Sequence, residues 1–314
     1  MKTKLKYSVG ALFLHFAIMS ICAQTVNIEV KVLDQKGNPV AGVIVDSESM
    51  SYLRKKHVGE ILYEKKTTND KGLVTLLSRK NSMTERIYLN KEDYYESRSM
   101  TLAPMSKNFP PSTPIELKIK AIKNPIAMYA KKIDYLSVPV DGRQVGYDIM
   151  IGDWVAPHGR GKTSDLLFKH EGVRKWSGPK HYKEAYEQKI TIGFKNEKDG
   201  LLPYKGSSED GWKYGSEFTS MYEAPLEGYQ KKWVQRTWKE KGGAHKTTRD
   251  IDRNFYFRVR TKVDSKGNII SAYYGKIYGD FMTFSYYLNP TSRDKNVEFD
   301  PKRNLFKNQN IKRP

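Results

Sequence analysis

The sequence predicts an all-β protein, built as a small sandwich followed by a larger antiparallel β domain. Three observations carry that expectation. Runs such as Thr25 to Leu33 alternate apolar and polar residues with period two, the mark of a strand with one buried face. The 21 Tyr, 23 Gly and 14 Pro among 314 residues favour strands joined by tight turns. No apolar repeat near 3.6 residues is sustained, and only His181 to Gln188 reads as a short helix.

The N-terminus stands apart from the fold. Lys2, Lys4 and Lys6 precede an uncharged run from Tyr7 to Ala23, apolar at its centre between Val9 and Met19. That is the pattern of a secretory signal, shorter than the roughly 20 residues a membrane helix needs. Ala23 before Gln24 is the expected cleavage point, so residues 1–23 are read as a signal peptide. The mature chain is then exported, to the periplasm, the cell envelope or the medium, with no transmembrane segment. Cys22 raises the possibility of lipid attachment, but Ile21 stands where a small residue is needed, which argues against a lipoprotein. Cys22 is also the one cysteine, so the mature chain has no disulfide framework and no cysteine-based zinc module.

Charge narrows the partners. Lys and Arg number 55 against 35 Asp and Glu, a formal charge of +20. Removing the leader takes away three lysines and no acid. Export sets nucleic acid aside and leaves acidic or sulfated polysaccharide, lipopolysaccharide and phospholipid headgroups as anionic partners. A basic surface that serves solubility alone is the plain alternative.

In the first domain, Val26, Ile28, Val30 and Val32 share one strand face. Asp34 to Pro39 is a turn, Val43 to Val45 opens a second strand, and Thr67 to Gly72 turns into a third at Leu73 to Leu77. Arg86 to Leu89 is a further strand, and Ile115, Leu117 and Ile119 alternate again to close the unit. These residues, with Val43 and Val45, are the predicted core. Val32-Leu33-Asp34 with Gly37-Asn38-Pro39-Val40-Ala41-Gly42-Val43, then Thr68-Asn69-Asp70-Lys71-Gly72-Leu73, resembles the carboxypeptidase regulatory-like domain. The family's usual aromatic is replaced by Val74. The resemblance covers roughly residues 25–120. It implies an Ig-like, prealbumin-like sandwich of about seven strands that has no peptidase activity and serves as spacer, stabiliser or binding module.

The second domain is placed at 122–314, after a first domain at 24–121. It holds all five Trp and most of the basic excess. Expected strands are Val145 to Val155, Thr163 to His170, Lys189 to Phe194, Asn254 to Val263, Ile269 to Tyr278 and Phe281 to Leu288. Val263 to Ile269 carries a glycine-bearing hairpin signal. Gly152 to Gly159, Phe257 to Lys262, Tyr274 to Asp280, Tyr287 to Pro290 and Asn296 to Phe306 resemble a region of uncharacterised exported bacterial proteins with no assigned activity. That resemblance implies a domain pairing and no chemistry.

Catalytic motifs do not emerge. Ala156-Pro157-His158-Gly159-Arg160-Gly161-Lys162-Thr163 fits a relaxed phosphate-loop pattern, but a strand or turn follows where a helix is required. A basic loop between two β elements, holding no nucleotide, is the better description. Asp250-Ile251-Asp252-Arg253-Asn254 begins like a calcium loop and fails at Phe255 and Thr261. His57, His158, His170, His181 and His245 have no metal-ligand spacing. A paired-carboxylate glycosidase needs no motif, yet Asp153, Glu171 and Glu217 are arbitrary choices among 35 acids. No catalytic residue, cofactor, metal or oligomeric state is assigned.

Aromatic and basic side chains are the remaining signal. Tyr273, Tyr274, Tyr278, Tyr286 and Tyr287 with Trp154, Trp212, Trp233 and Trp238 offer faces for sugar rings, although most large aromatics in strands belong to cores. Trp154, His158, Arg160 and Lys162, within nine residues, are the candidate ligand-binding set. The reading is an exported, non-catalytic binding protein for carbohydrate or another anionic polymer. The alternatives are a polysaccharide hydrolase using two carboxylates and a structural or assembly role in the envelope.

Overall fold

The computed structural model describes residues 25–53, 58–80, 84–101, 111–175, 185–206, 214–250 and 252–314. Residues 1–23, read above as a signal peptide, and His57, Trp176, His181 and Trp212 lie outside them. The described residues form strands, turns and bends without a helix. The chain is all-β.

The first half contains β1 (Thr25–Leu33), β2 (Ile44–Leu53), β3 (Val58–Thr67), β4 (Leu73–Arg79), β5 (Thr84–Asn90), β6 (Tyr94–Tyr95), β7 (Ser97–Thr101), β8 (Ile115–Lys118) and β9 (Lys120–Ala121). The second contains β10 (Ile126–Ile133), β11 (Gln144–Asp148), β12 (Asp153–Trp154), β13 (Leu166–Lys175), β14 (Ala185–Gly193), β15 (Gly200–Lys205), β16 (Gly215–Ser216), β17 (Lys232–Lys239), β18 (His245–Thr247), β19 (Arg253–Val263), β20 (Ile269–Asp280), β21 (Thr283–Leu288) and β22 (Phe299–Asn304).

In the first half a three-stranded sheet, β4-β1-β8, faces a five-stranded one, β16-β7-β5-β2-β3. Ile28, Val30 and Val32 of β1 meet Val45, Val74, Leu76, Ile87 and Leu89 in one core. Val26, Ile115 and Leu117 are half-buried, while Val43 and Ile119 are fully buried. Buried Thr68 ties the two halves of the glycine-rich motif together. Its hydroxyl donates to the Val40 carbonyl at 2.8 Å and accepts from the Val43 N–H at 3.0 Å. β8 pairs with β1 in parallel.

The second half stacks two six-stranded sheets, β15-β19-β20-β21-β10-β22 and β12-β11-β13-β14-β17-β18. Between them pack Phe168, Ile190 and Ile192 from one sheet and Phe255, Phe257, Val259, Ile277 and Phe284 from the other. The first of these sheets is covered on its far side as well, by clusters around Met128, Tyr287 and Phe299 and around Tyr256, Tyr274 and Val297. Burial is therefore nearly continuous along β19, β20 and β21, as in any sheet packed on both faces. Tyr256 and Arg258, which alternate with Phe255, Phe257 and Val259 along β19, are buried as well.

Two further elements differ from the sequence reading. Residues 185–188 belong to strand β14 and not to a short helix. Val145 to Val155 is a hairpin and not one strand, because the Asp148 carboxylate accepts the Met150 and Ile151 N–H groups and turns the chain between β11 and β12.

The halves are joined by more than a linker. β16, from the second half, pairs with β7 through Gly215–Arg98 and Ser216–Ser97. Tyr95 donates its hydroxyl to Glu298 at 2.8 Å, and that carboxylate also accepts the Lys123 and Asn124 N–H groups.

Val30 is fully buried at the centre of the first core. Val30→Ala is expected to cost about 1–3 kcal/mol through lost burial and the cavity left behind. Urea unfolding followed by fluorescence measures it, and a cost near zero would mean that the core does not form as described.

Candidate binding face

The basic loop is built around aspartates. Between β12 and β13 the chain doubles back at Val155 and Gly161, with the Gly161 N–H donating to the Trp154 carbonyl at 2.8 Å. Asp153 accepts the Arg160 N–H at 3.0 Å, and Asp148 accepts those of Lys162 and Thr163 at 3.0 and 2.9 Å. The amides a phosphate loop would turn toward phosphate are thus taken by the protein's own carboxylates. β13 follows the loop where a phosphate-binding helix would stand. The glycines serve compactness: a Cβ on Gly161 would lie 2.8 Å from both the Asp148 side chain and the Asp153 carbonyl oxygen.

His158, Arg160 and Lys162 are exposed on this loop. Trp154 is half-buried and packs edge-on against Tyr147 and Phe168, at 5.2 and 5.7 Å between ring centroids. It is a core residue that anchors the loop. The four predicted site residues therefore divide into one anchor and three exposed cations or cation-formers.

Beneath the loop lies an ionic cluster that no sequence motif announces. Arg260 clamps Asp165 through Nε at 2.7 Å and Nη2 at 2.8 Å, and reaches Asp148 at 2.9 Å. It sits at a bulge in β19 with φ of 54°, a left-handed conformation that costs a non-glycine residue roughly 1–3 kcal/mol. Asp199 holds that conformation by accepting the N–H groups of Arg260 and Thr261, each at 3.0 Å. For Asp148, burial pushes the carboxyl up, but the N–H groups of Lys162, Thr163 and Ile151 and the Arg260 charge outweigh it and hold it below the ordinary value. For Asp165, burial outweighs the bonds and charge of Arg260 and leaves the carboxyl above it.

The outward face of the β12-β11-β13-β14-β17-β18 sheet is different in kind. Pairing places Gly146, Leu167, Gly193 and Lys232 in one row across the strands. Gln144, Lys169, Thr191 and Val234 form the next, followed by Glu171, Lys189 and Arg236. With no side chain at Gly193, the face sinks into an open trough of about 480 Å³, edged by Lys169, Lys189, Lys231 and Lys232 and floored by Leu167, Thr191 and Gly193. Glu171 is gripped by Lys169 at 2.8 Å and Lys189 at 3.1 Å. The hydrogen bonds from those lysines hold its carboxyl below the usual range. Farther along the same face Arg236 lies 4.4 Å from the Trp238 ring and bonds Glu187 at 2.7 Å.

The loop and the trough adjoin. A Cβ on Gly146, beside Leu167, would meet the Ser164 hydroxyl at 2.2 Å and Val155 at 3.2 Å, so the roots of the loop rise from the trough's own face. The sequence reading missed the trough lysines. Their signal was present as charged alternates in 166–173 and 187–193, but nothing local shows that those strands are neighbours.

The other suggestions resolve differently. Tyr274, Tyr278, Tyr286 and Tyr287 are buried, as expected of most large aromatics in strands, and offer no face to a sugar ring, while Tyr273 packs against the core. Trp233 lies against Phe255 at 5.0 Å. Asp250 is engaged by the Asp252 N–H and by Arg253, which occupies the carboxylate of the calcium-like motif. Among the described residues no group of three His, Cys, Asp or Glu is arranged to hold a metal ion.

Comparisons with known proteins add little. No protein family matches the chain, and no curated protein does. Among solved structures the chain is similar to 3-chlorocatechol 1,2-dioxygenase from Rhodococcus opacus 1CP, at 16% identity and a TM-score of 0.24. The match covers 32% of this chain and 60% of the dioxygenase chain. Similarity at that level falls short of a shared overall fold.

Asp148 yields a pH test. Its carboxyl is held below the ordinary 3.8, so its stabilisation is fully present above the unfolded-state value and is lost as pH falls through the folded one. The difference in Tm between wild type and Asp148→Asn is expected to hold from neutral pH to about pH 5 and to shrink below about pH 4. Calorimetry across the acid range checks it; a difference that widens on acidification would contradict this role. Arg260→Met is expected to cost about 3–5 kcal/mol, because it leaves two buried carboxylates without their cation.

Proposed function

We propose that the protein is an exported, non-catalytic binder of acidic glycan or another anionic polymer, and that it binds on the outward sheet face. The supporting observation is the trough, an open concavity edged by four lysines. Arg160 and Lys162 on the adjoining loop extend the positive surface. Lys232, Lys169 and Lys189 stand in three successive rows of the sheet, so the cations are staggered along the face. That arrangement suits a linear chain of repeated carboxylate or sulfate groups better than a single compact anion. Thr191 and Gln144 supply hydroxyl and amide partners between the charges, and Trp238 supplies a ring farther along the same face.

The reading also draws on the N-terminal signal sequence, which places anionic envelope and extracellular polymers within reach. The hydrolase alternative has no comparable support. The carboxylates that do come together, Asp148 and Asp165, are both committed to Arg260, and Glu171 is committed to two lysines. The first half, read as a regulatory-like sandwich, serves in this account as the body against which the second is built.

Binding of this kind is screened over about 8 Å at physiological ionic strength, so it weakens as salt rises. The test is a panel of neutral and acidic polysaccharides against the purified protein at low and high salt. Lys189→Gln/Lys232→Gln is expected to weaken acidic binding tenfold or more. Gly193→Tyr, which fills the trough where a Cβ meets nothing closer than 3.4 Å, is expected to do the same without unfolding. Arg160→Ala/Lys162→Ala is expected to have a smaller effect. Failure to bind any acidic polymer, or binding indifferent to salt and to the trough variants, would overturn the reading.

A further inference from the structure

At the seam between the halves, away from the outward face, lies a lysine with no solvent and no partner. Lys276 is fully buried, and its Nζ makes no hydrogen bond among the described residues. Three aromatic rings surround it, with Phe218, Tyr278 and Tyr287 centroids at 4.3, 4.8 and 4.9 Å. Two more cations share those rings. Lys120 lies 4.4 Å from Phe218, and Arg313 lies 4.1 Å from Tyr278. Lys120 also donates to the carbonyls of Phe218 and Ser220, which holds the segment from 217 to 222 over the cluster.

The carboxylates nearby give it no hydrogen bond, and the Glu298 charge offsets only part of the cost of its burial. Glu298 is occupied by the Tyr95 hydroxyl and by the Lys123 and Asn124 N–H groups. Glu217, near Arg313, accepts the Glu96 N–H, and burial pushes its carboxyl above the ordinary range. Aromatic faces attract an ammonium but do not replace a hydrogen-bond acceptor. Lys276 is not alone in lacking a partner. The hydroxyls of Tyr204, Tyr278 and Ser220 are buried with none among the described residues. The Tyr278 hydroxyl lies near Ser220 and Thr219, at hydrogen-bonding geometry with neither.

Buried polar groups are almost always bonded, and with no bonded counter-charge burial pushes the Lys276 amine well below the ordinary lysine range. One occupant would satisfy both deficits. We propose that this seam holds a small inorganic oxyanion, phosphate or sulfate, bound by the Lys276 ammonium and by the Tyr278, Tyr204 and Ser220 hydroxyls, with Lys120 and Arg313 supplying further positive charge. Water would meet the hydroxyls but bring no counter-charge to Lys276. An oxyanion presents several acceptor oxygens and forms charge-assisted hydrogen bonds with the ammonium. The site is enclosed, so the anion enters as the seam folds or when the segment from 217 to 222 opens.

The test uses the whole protein in two measurements. Extensively dialysed protein is denatured, and the released phosphate and sulfate are quantified by ion chromatography. In parallel, Tm is followed against added phosphate, sulfate and chloride at constant ionic strength. The expected result is about one oxyanion released per chain. Where dialysis has emptied the site, Tm instead rises by several degrees with phosphate or sulfate and not with chloride. The anion released or preferred distinguishes the two sources. Lys276→Met is expected to lose both release and response. Tyr278→Phe, which keeps the ring, is expected to bind at least severalfold more weakly and covers the case in which Lys276→Met does not fold. No release and no thermal response in the wild type would overturn the proposal. A response retained in both variants would also overturn it, by placing the anion on the exposed lysines.

Discussion

Arg260 is the point through which the two large sheets hold each other. It rises from β19 in one sheet and grips Asp165 and Asp148 beside β13 and β11 in the other. Asp199, below it, fixes the backbone that aims the guanidinium. The arrangement spends conformational strain to gain direction, because a left-handed arginine persists only where its surroundings over-determine it. Each aspartate in turn organises chain: Asp148 closes the hairpin turn and the base of the basic loop, and Asp165 receives the Ile149 N–H. One cation thereby orders the whole edge of the sandwich from which the loop projects. A planar fork is required for this; lysine carries the same charge but cannot make the bidentate contact.

The second constraint is that the sheet centred on β20 is buried on both faces. Its strands supply the interior of the sandwich on one side and the packing with the C-terminal strand and with Ala224, Tyr229 and Val297 on the other. The opposite sheet keeps an outer face open to solvent among the described residues, and that is the face proposed above to bind. The distribution of charge follows. Side chains such as Lys169 and Lys189 alternate with core residues along strands that have one wet face, whereas Arg258 and Lys276 interrupt strands that have none.

That contrast explains what could be read from the sequence. Where one face is wet, period two is visible, and the run from Val26 to Val32 yields both strand and core. Local turn chemistry was equally legible: Asp34-Gln35-Lys36-Gly37-Asn38 and Asp264-Ser265-Lys266-Gly267-Asn268 close with the same hydrogen bonds, from the i+2 and i+4 N–H groups and the asparagine amide to the leading aspartate. Long-range features were hidden. Lys276 stands at what looks like an ordinary polar position between Gly275 and Ile277. The trough depends on the register of four strands separated by loops, and β16 is two residues long, too short for any periodicity. The exposed loop with Arg160 and Lys162 was visible because its chemistry is contiguous in the chain.

The strand exchange at β16 has a consequence for how this protein could be taken apart. The first half resembles a module that could be lifted out at residue 121, yet the outer edge of β7 is paired by residues 215–216. Excision there would expose a row of unpaired backbone groups, the feature that templates sheet-to-sheet association between molecules. It would also strip Glu298 from Tyr95. The boundary seen along the chain is thus not a boundary in space. The halves have grown into a single unit, and neither is a free-standing cassette for transplanting onto another protein.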